Sequence, residues 1–306
     1  VNGTGFISTS RIRWNGVERT SVLAGPTQLT AQITAAEIAT PGTVRITVVN
    51  AAPGGGVSNE VTLTIARPLA NVSAASYQAQ MFAPESLVAV FGVSLATGIE
   101  SSTTLPLPTT LRGTTVRVRD SAGIERFAQL FFVAPGQVNY LMPAGTAAGT
   151  ATVTISSGNG ELSAGTVMIS AVAPGIFTAN ANGAGAPAAV VLRVRANGQQ
   201  VFEVASQLDP VTNRFVSVPI DLGPTGEQVF LVIFATGVRG RSGAPNAVTA
   251  NLGGVNLPVF SAGPQGDLAG LDQLNLGPVP ASLAGRGLMD LVVTVDGKAA
   301  NTVQVN

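Results

Sequence analysis

The sequence contains no cysteine and no histidine in its 306 residues. Their absence excludes Cys/His metal sites, thiol chemistry and the ordinary Ser-His-Asp relay. It also excludes disulfides, so stability has to come from apolar cores and strand ladders. It does not identify a compartment, because disulfide-free secreted proteins are common in bacteria. Charge is scarce and balanced, with 16 basic and 16 acidic residues. No basic stretch could neutralise a phosphate backbone, which argues against nucleic acid as a partner. Aromatics make up only 5% of the chain. No apolar run approaches the ~20 residues of a membrane-spanning helix. The densest, Phe230-Leu231-Val232-Ile233-Phe234, has the length of a buried strand. The chain opens at Val1-Asn2-Gly3 with neither Met nor a signal peptide in view, so a targeting segment, where there is one, lies upstream.

What is abundant is glycine (36) and proline (19), set among Ser, Thr, Val and Ala. That is the composition of many short strands punctuated by turns. One pattern occurs three times. Gln28-Leu29-Thr30 recurs as Gln137-Val138-Asn139 and as Gln273-Leu274-Asn275. Each is followed by small residues ending in Pro41-Gly42, Ala148-Gly149 or Ala284-Gly285, and then by an alternating run: Val44-Arg45-Ile46-Thr47-Val48, Ala151-Thr152-Val153-Thr154-Ile155 and Leu291-Val292-Val293-Thr294-Val295. Each unit closes on a second alternating run, Val61-Thr62-Leu63-Thr64-Ile65, Thr166-Val167-Met168-Ile169 or Val303-Gln304-Val305. The spacing from the Gln to the first Val of that run is 33, 30 and 30 residues. Upstream, Gly5-Phe6, Phe91-Gly92 and Thr236-Gly237 mark the place where a core strand meets a turn. Period-two alternation means one buried and one wet face, the mark of antiparallel sheets packed face to face. Asn15-Gly16, Asn197-Gly198 and Asp296-Gly297 read as tight hairpin turns. Thr34-Ala35-Ala36-Glu37 predicts one capped helical turn, stopped by Pro41-Gly42.

The sequence therefore predicts an all-β protein of tandem immunoglobulin-like β-sandwiches: residues 1–67, 68–174 and 175–306. The last carries a β-hairpin insertion at about 185–220, whose runs Val191-Leu192-Arg193-Val194-Arg195, Val201-Phe202-Glu203-Val204 and Phe215-Val216-Ser217-Val218 lie on or beside the sandwich.

Gly3-Thr4-Gly5-Phe6, Val17, Gln28-Leu29-Thr30 and the tail from Asn50 to Asn59 resemble an IPT/TIG domain, an immunoglobulin-like module shared by plexins and many bacterial surface proteins. From residue 68 on, the chain resembles the uncharacterised C-terminal domain abundant in Solibacter and other Acidobacteria. The resembling residues include Ala74-Ala75-Ser76-Tyr77, Leu105-Pro106-Leu107-Pro108, Ala134-Pro135-Gly136-Gln137-Val138-Asn139 and Ala173-Pro174-Gly175-Ile176-Phe177. The two resemblances imply a secreted, cell-surface context, and they bring no catalytic residues.

The remaining candidates for chemistry have plainer readings. Asp267 and Asp272 on a Gly-rich loop read as turn-formers, since calcium asks for six to eight oxygens. Glu18, Glu37 and Asp209 form no recognisable acid/base pair. Pro53-Gly54-Gly55-Gly56 lacks the Lys-Ser/Thr of a phosphate loop and reads as a hairpin loop. Trp14, alternating with Ile12, reads as core rather than as a platform for sugar, a role also open to Tyr140. The Gln-Leu/Val-Thr/Asn triplets read as structural, their side chains bonding a loop to a strand. No catalytic residue, cofactor or metal is expected.

One asymmetry points to function. The second unit has 23 residues before Phe91-Gly92 and the third has Val229 to Phe234, but the first has only four before Gly5. It is expected to lack its first strand and most of its second, leaving an open edge and a groove. If a neighbouring copy supplied the strand, the contact would be head-to-tail and would propagate a filament. The subunit-interface residues under that reading are Val1, Gly5 and Phe6 on the acceptor side, with Val191, Val194, Val201 and Val204 on a donor strand. The expectation is a non-catalytic extracellular homopolymer. The alternatives are a secreted adhesion or carbohydrate-binding module contacting cell-surface polysaccharide, and a passive spacer.

Overall fold

Alternation along the chain becomes strand after strand: 49% of residues are in strands, and the helical content among the described residues is two 3-10 turns, Ala35–Ile38 and Ala281–Leu283. The computed structural model describes residues 1–79 and 81–306. The chain divides into two compact units, Val1–Arg67 and Pro68–Asn306. Among the described residues no helix is long and apolar enough to cross a membrane.

In the first unit, Arg11–Trp14 pairs with Val17–Arg19 on one side and with Gly42–Asn50 on the other, and Gly42–Asn50 pairs in turn with Val61–Ile65. The turn between the first two strands is built by Asn15 (φ 50°) and Gly16 (φ 83°), the left-handed pair that a two-residue hairpin requires. The facing sheet is small: Ser21–Gly25 pairs with Gln28–Ala31, and residues 1–3 lie along the latter's other edge. The amino group of Val1 donates to the Leu29 carbonyl at 2.8 Å, Leu29 N–H returns a bond to Val1 at 2.9 Å, and Gly3 N–H donates to Thr27 at 3.0 Å. Thr34 forms the expected cap, its N–H and Oγ1 both donating to Glu37 Oε2 at 2.9 and 2.8 Å. The contiguous buried core here is Ile12, Leu29 and Val48, with Phe6, Ala31 and Ile46 half-buried against it.

The second unit holds two full sandwiches. In the earlier, Ala70–Ser73, Leu87–Phe91, Gln137–Leu141, Gln129–Ala134 and Glu100–Ser101 form one sheet, and Thr114–Arg119, Gly149–Ser156 and Leu162–Ile169 form the heart of the other. Between them lie Phe82, Val90, Leu130, Tyr140, Val153 and their neighbours, a core several times that of residues 1–67. Phe82 bridges Ile169 in parallel, its N–H donating to Met168 and its carbonyl accepting from Ser170 (both 2.9 Å), so the last strand's outer edge is covered by the chain itself. The Tyr140 hydroxyl reaches Asn71 Oδ1 at 3.3 Å, and burial raises its pKa. The later sandwich repeats the plan around Leu231, Ile233, Leu274, Leu291 and Val303. Here too the last strand is covered: Gln304 N–H donates to Gly185, and Ile220 N–H donates to Asn306.

The two sandwiches of this unit are bolted together. Lys298 Nζ reaches Ser170 Oγ and the Val172 carbonyl (3.2 Å), and Leu87 N–H donates to Thr236 Oγ1 at 2.9 Å. Gly237 (φ 75°) packs so closely that a Cβ there would stand 2.2 Å from the Ala173 carbonyl oxygen.

Candidate interaction sites

The groove expected beside Gly5-Phe6 is present and open. It measures about 560 Å3 and runs between the stub of residues 1–6 and the facing sheet, with Val1, Phe6, Ile46, Val48, Val61 and Leu63 among its walls. Its rim is the strand Val61–Ile65, which pairs on one side with Gly42–Asn50 and has its other edge bare among the described residues. Val61 and Leu63 are 55% and 41% exposed. In both later sandwiches the corresponding last strand is covered by the chain's own residues, so this edge and groove are specific to residues 1–67. Of the acceptor residues named from sequence, Val1 and Phe6 line the groove; Gly5 (φ 73°) makes the turn between them and the first full strand.

The donor side needs correction. Val191 does not lie on an appendage. Its strand, Ala189–Val194, sits inside a five-stranded sheet between Gln200–Val204 and the central strand Gln228–Thr236. Val191 itself is 1% exposed in the core of the last sandwich. Withdrawing it would dismantle that core. Val194 and Val201 are half-buried and Val204 is exposed, but their strands are clamped by Arg193. The buried guanidinium meets Glu203 through two bonds (2.6 and 3.1 Å), Glu227 at 3.2 Å and the Asp221 carbonyl at 2.6 Å. Period-two alternation showed that these runs were strands, but it carries no information on which neighbour each strand pairs with.

The sequence reading passed over a better-placed element. Ser206–Asp209 and Arg214–Ser217 form a separate two-stranded hairpin. Its tip is ordered by Asp209, which accepts from Val211 N–H (2.9 Å) and Thr212 Oγ1 (2.7 Å) and whose pKa those bonds lower. Val211 at that tip is 90% exposed, and Leu208 and Phe215 lie opposite one another, also exposed. The Arg214–Ser217 edge is capped at Phe215 by both polar atoms of the Asn180 side chain, whereas the Ser206–Asp209 edge is free among the described residues.

The acidic candidates are dispersed. Asp267 is exposed and bonded to Gln265; Asp272 is wholly buried, accepting from Val238 N–H (2.7 Å) and from Arg239 Nε (2.8 Å). Glu18 pairs with Arg13 at 2.9 Å, and Glu37 serves the cap. No group of three or more His, Cys, Asp or Glu side chains could hold a metal ion among the described residues. Trp14 is buried, and Pro53-Gly54-Gly55-Gly56 joins two paired strands. The repeated triplets differ from expectation: Gln137 Nε2 donates to Asn139 Oδ1, and Gln273 Nε2 to Asn275 Oδ1, each at 2.9 Å along one strand face rather than from loop to strand.

No protein-family model matches the chain, and neither does any curated protein. Among solved structures, SGBP-B of the Bacteroides ovatus mixed-linkage glucan utilization locus, in complex with a mixed-linkage heptasaccharide, is similar over 97% of this chain at 9% identity and a TM-score of 0.31. The match spans 59% of that protein's chain.

Proposed function

We propose that this chain is a non-catalytic extracellular structural protein whose copies assemble head to tail, the groove of residues 1–67 accepting a β-strand from a neighbouring copy. The observation that carries the reading is the open groove beside the bare Val61–Ile65 edge, in a unit whose two sibling sandwiches cover the same edge themselves. The donor is the free edge Ser206–Asp209 with the hairpin tip behind it, since it offers unpaired backbone together with exposed Leu208 and Val211. Backbone bonds along Val61–Ile65 set the register, and the two apolar side chains enter the groove. Full burial of one such side chain contributes about 1.5–3 kcal/mol, so the pair supplies roughly 3–6 kcal/mol before the entropy of association. Donor and acceptor are different surfaces, so the contact is heterologous and propagates.

The absence of cysteine makes the test clean. Copies carrying Leu63→Cys, mixed with copies carrying Val211→Cys, are expected to form a disulfide-linked dimer in far higher yield than either variant alone. Filaments should be visible by electron microscopy of the unsubstituted protein. Discrete particles, together with no preference for the mixed cross-link, would overturn the reading.

A further inference from the structure

The last sandwich carries a second open groove, of about 420 Å3, on the outer side of its edge strand Val259–Pro264. Phe260, Ser261, Gln265, Gln273 and Arg241 line it. This edge strand bulges between Val259 and Ser261, and the bulge throws Phe260 out to 79% exposure. The ring is nonetheless held, edge-on to Phe230 at 6.3 Å between centroids and 68° between planes. An aromatic face fixed in solvent is costly unless something stacks on it. Beside it, Gln273 and Asn275 stand on the next strand, Asn275 directly across from Ser261. Their mutual bond uses Gln273 Nε2 and Asn275 Oδ1. The Gln273 carbonyl and the Asn275 amide hydrogens remain for a ligand.

The same device is built earlier in the chain, and there it is closed. Phe131 lies at the bulge between Leu130 and Phe132, beside the bonded pair Gln137–Asn139. The strand Glu100–Ser101 covers that edge, and Ser102 N–H donates to the Phe131 carbonyl at 2.8 Å. No strand covers the Phe260 edge among the described residues. Instead Arg241 Nε donates to the Ala262 carbonyl at 2.8 Å, occupying an acceptor that an added peptide strand would need. What stays available is side-chain chemistry: one ring face, two amides and a hydroxyl. The charge of Arg241 is offset by Asp296, whose pKa the Ser242 hydroxyl and N–H lower first and the field of Arg241 lowers further.

We propose that this groove binds a neutral, hydroxyl-rich polysaccharide, Phe260 stacking on a sugar ring while Gln273 and Asn275 pair with its hydroxyls. A carboxamide presents a donor and an acceptor side by side, which suits neighbouring hydroxyls that both give and take a bond. The volume falls in the ~300–1,000 Å3 range of small-ligand sites, and the open trough lets a polymer run through. The site is independent of the strand-accepting groove and stands or falls separately from it.

Affinity electrophoresis of the whole chain in gels containing hydroxyethylcellulose, dextran or galactomannan, with alginate as the acidic control, tests this. At least one neutral polymer should retard the protein. Phe260→Ala and Gln273→Ala should each weaken that retardation about tenfold or more, with an unchanged thermal melt. Phe202→Ala, on the far edge of the same sheet, should leave it intact. No retardation by any neutral polymer, retardation by alginate only, or retardation indifferent to Phe260→Ala would each overturn the proposal.

Discussion

Asp272 and Arg239 form an ion pair at 2.8 Å in which the carboxylate side chain is wholly buried and the guanidinium nearly so. Arg239 also reaches the Leu271 carbonyl and Glu85 of the preceding sandwich (2.8 and 3.6 Å), so the pair sits at the junction of two cores. Burial raises the Asp272 pKa, outweighing the Val238 and Arg239 bonds that lower it. The stability linked to this shift is therefore fully present below the ordinary value of 3.8 and is lost as pH rises through the folded pKa. Removing the carboxylate is a different matter, because it strands a buried cation. Asp272→Ala is expected to cost about 3–5 kcal/mol at neutral pH. Urea unfolding of Pro68–Asn306 within the whole chain measures it, and a loss under 1 kcal/mol would contradict the claim.

Asp120 shows the opposite sign. The Ala147 N–H is the largest influence lowering its carboxyl, to about 2, with Arg126 (2.6 Å) and the Ile124 and Ala122 N–H groups adding to it against the cost of burial. Stability from this group is present above the unfolded value of 3.8 and disappears as pH falls through about 2. The melting temperature should drop across that window, and Asp120→Asn should flatten the drop. An unchanged slope in the variant would mean that other carboxylates set it.

Much of this architecture was legible in the chain. Alternating runs gave the strands, and Asn15-Gly16 and Asp296-Gly297 gave two-residue turns, because a two-residue hairpin requires left-handed backbone that few residues tolerate. Pairing was not legible. Val191 alternates like an exposed edge strand, yet it lies in the middle of a sheet, because which strand sits beside it is decided by residues as distant as Leu231. The bulges at Phe131 and Phe260 were hidden for the same reason: one extra residue looks like ordinary sequence until the partner strand is known.

Two glycines with left-handed backbone should respond differently to alanine. Gly16 (φ 83°) has open space where a Cβ would go, so Gly16→Ala costs only the backbone penalty of about 1–2 kcal/mol. Gly237 (φ 75°) faces the Ala173 carbonyl at 2.2 Å, and a backbone oxygen cannot swing aside. Gly237→Ala should be the costlier substitution, with loss of the close packing between the two sandwiches of that unit. Equal melting shifts for the two variants would count against this packing.

The first unit should also melt alone and early. Its contiguous core is three buried residues with a groove beside it, against the large clusters of the later sandwiches. Calorimetry of the whole chain is expected to show a lower transition that Phe6→Ala shifts down and Asp272→Ala leaves in place. A peptide of residues 206–217 added in trans should raise that lower transition if the groove accepts the hairpin. Binding to the folded state alone stabilises by about 2.7 kcal/mol at a hundredfold excess over Kd. In a domain of 60–100 residues each kcal/mol moves the midpoint by about 4–8 °C, so the shift should reach about 10–20 °C. A peptide with Leu208→Asp and Val211→Asp keeps the backbone but cannot enter an apolar groove, and it should give no shift. Equal shifts from both peptides, or none from either at millimolar concentration, would remove the hairpin as donor.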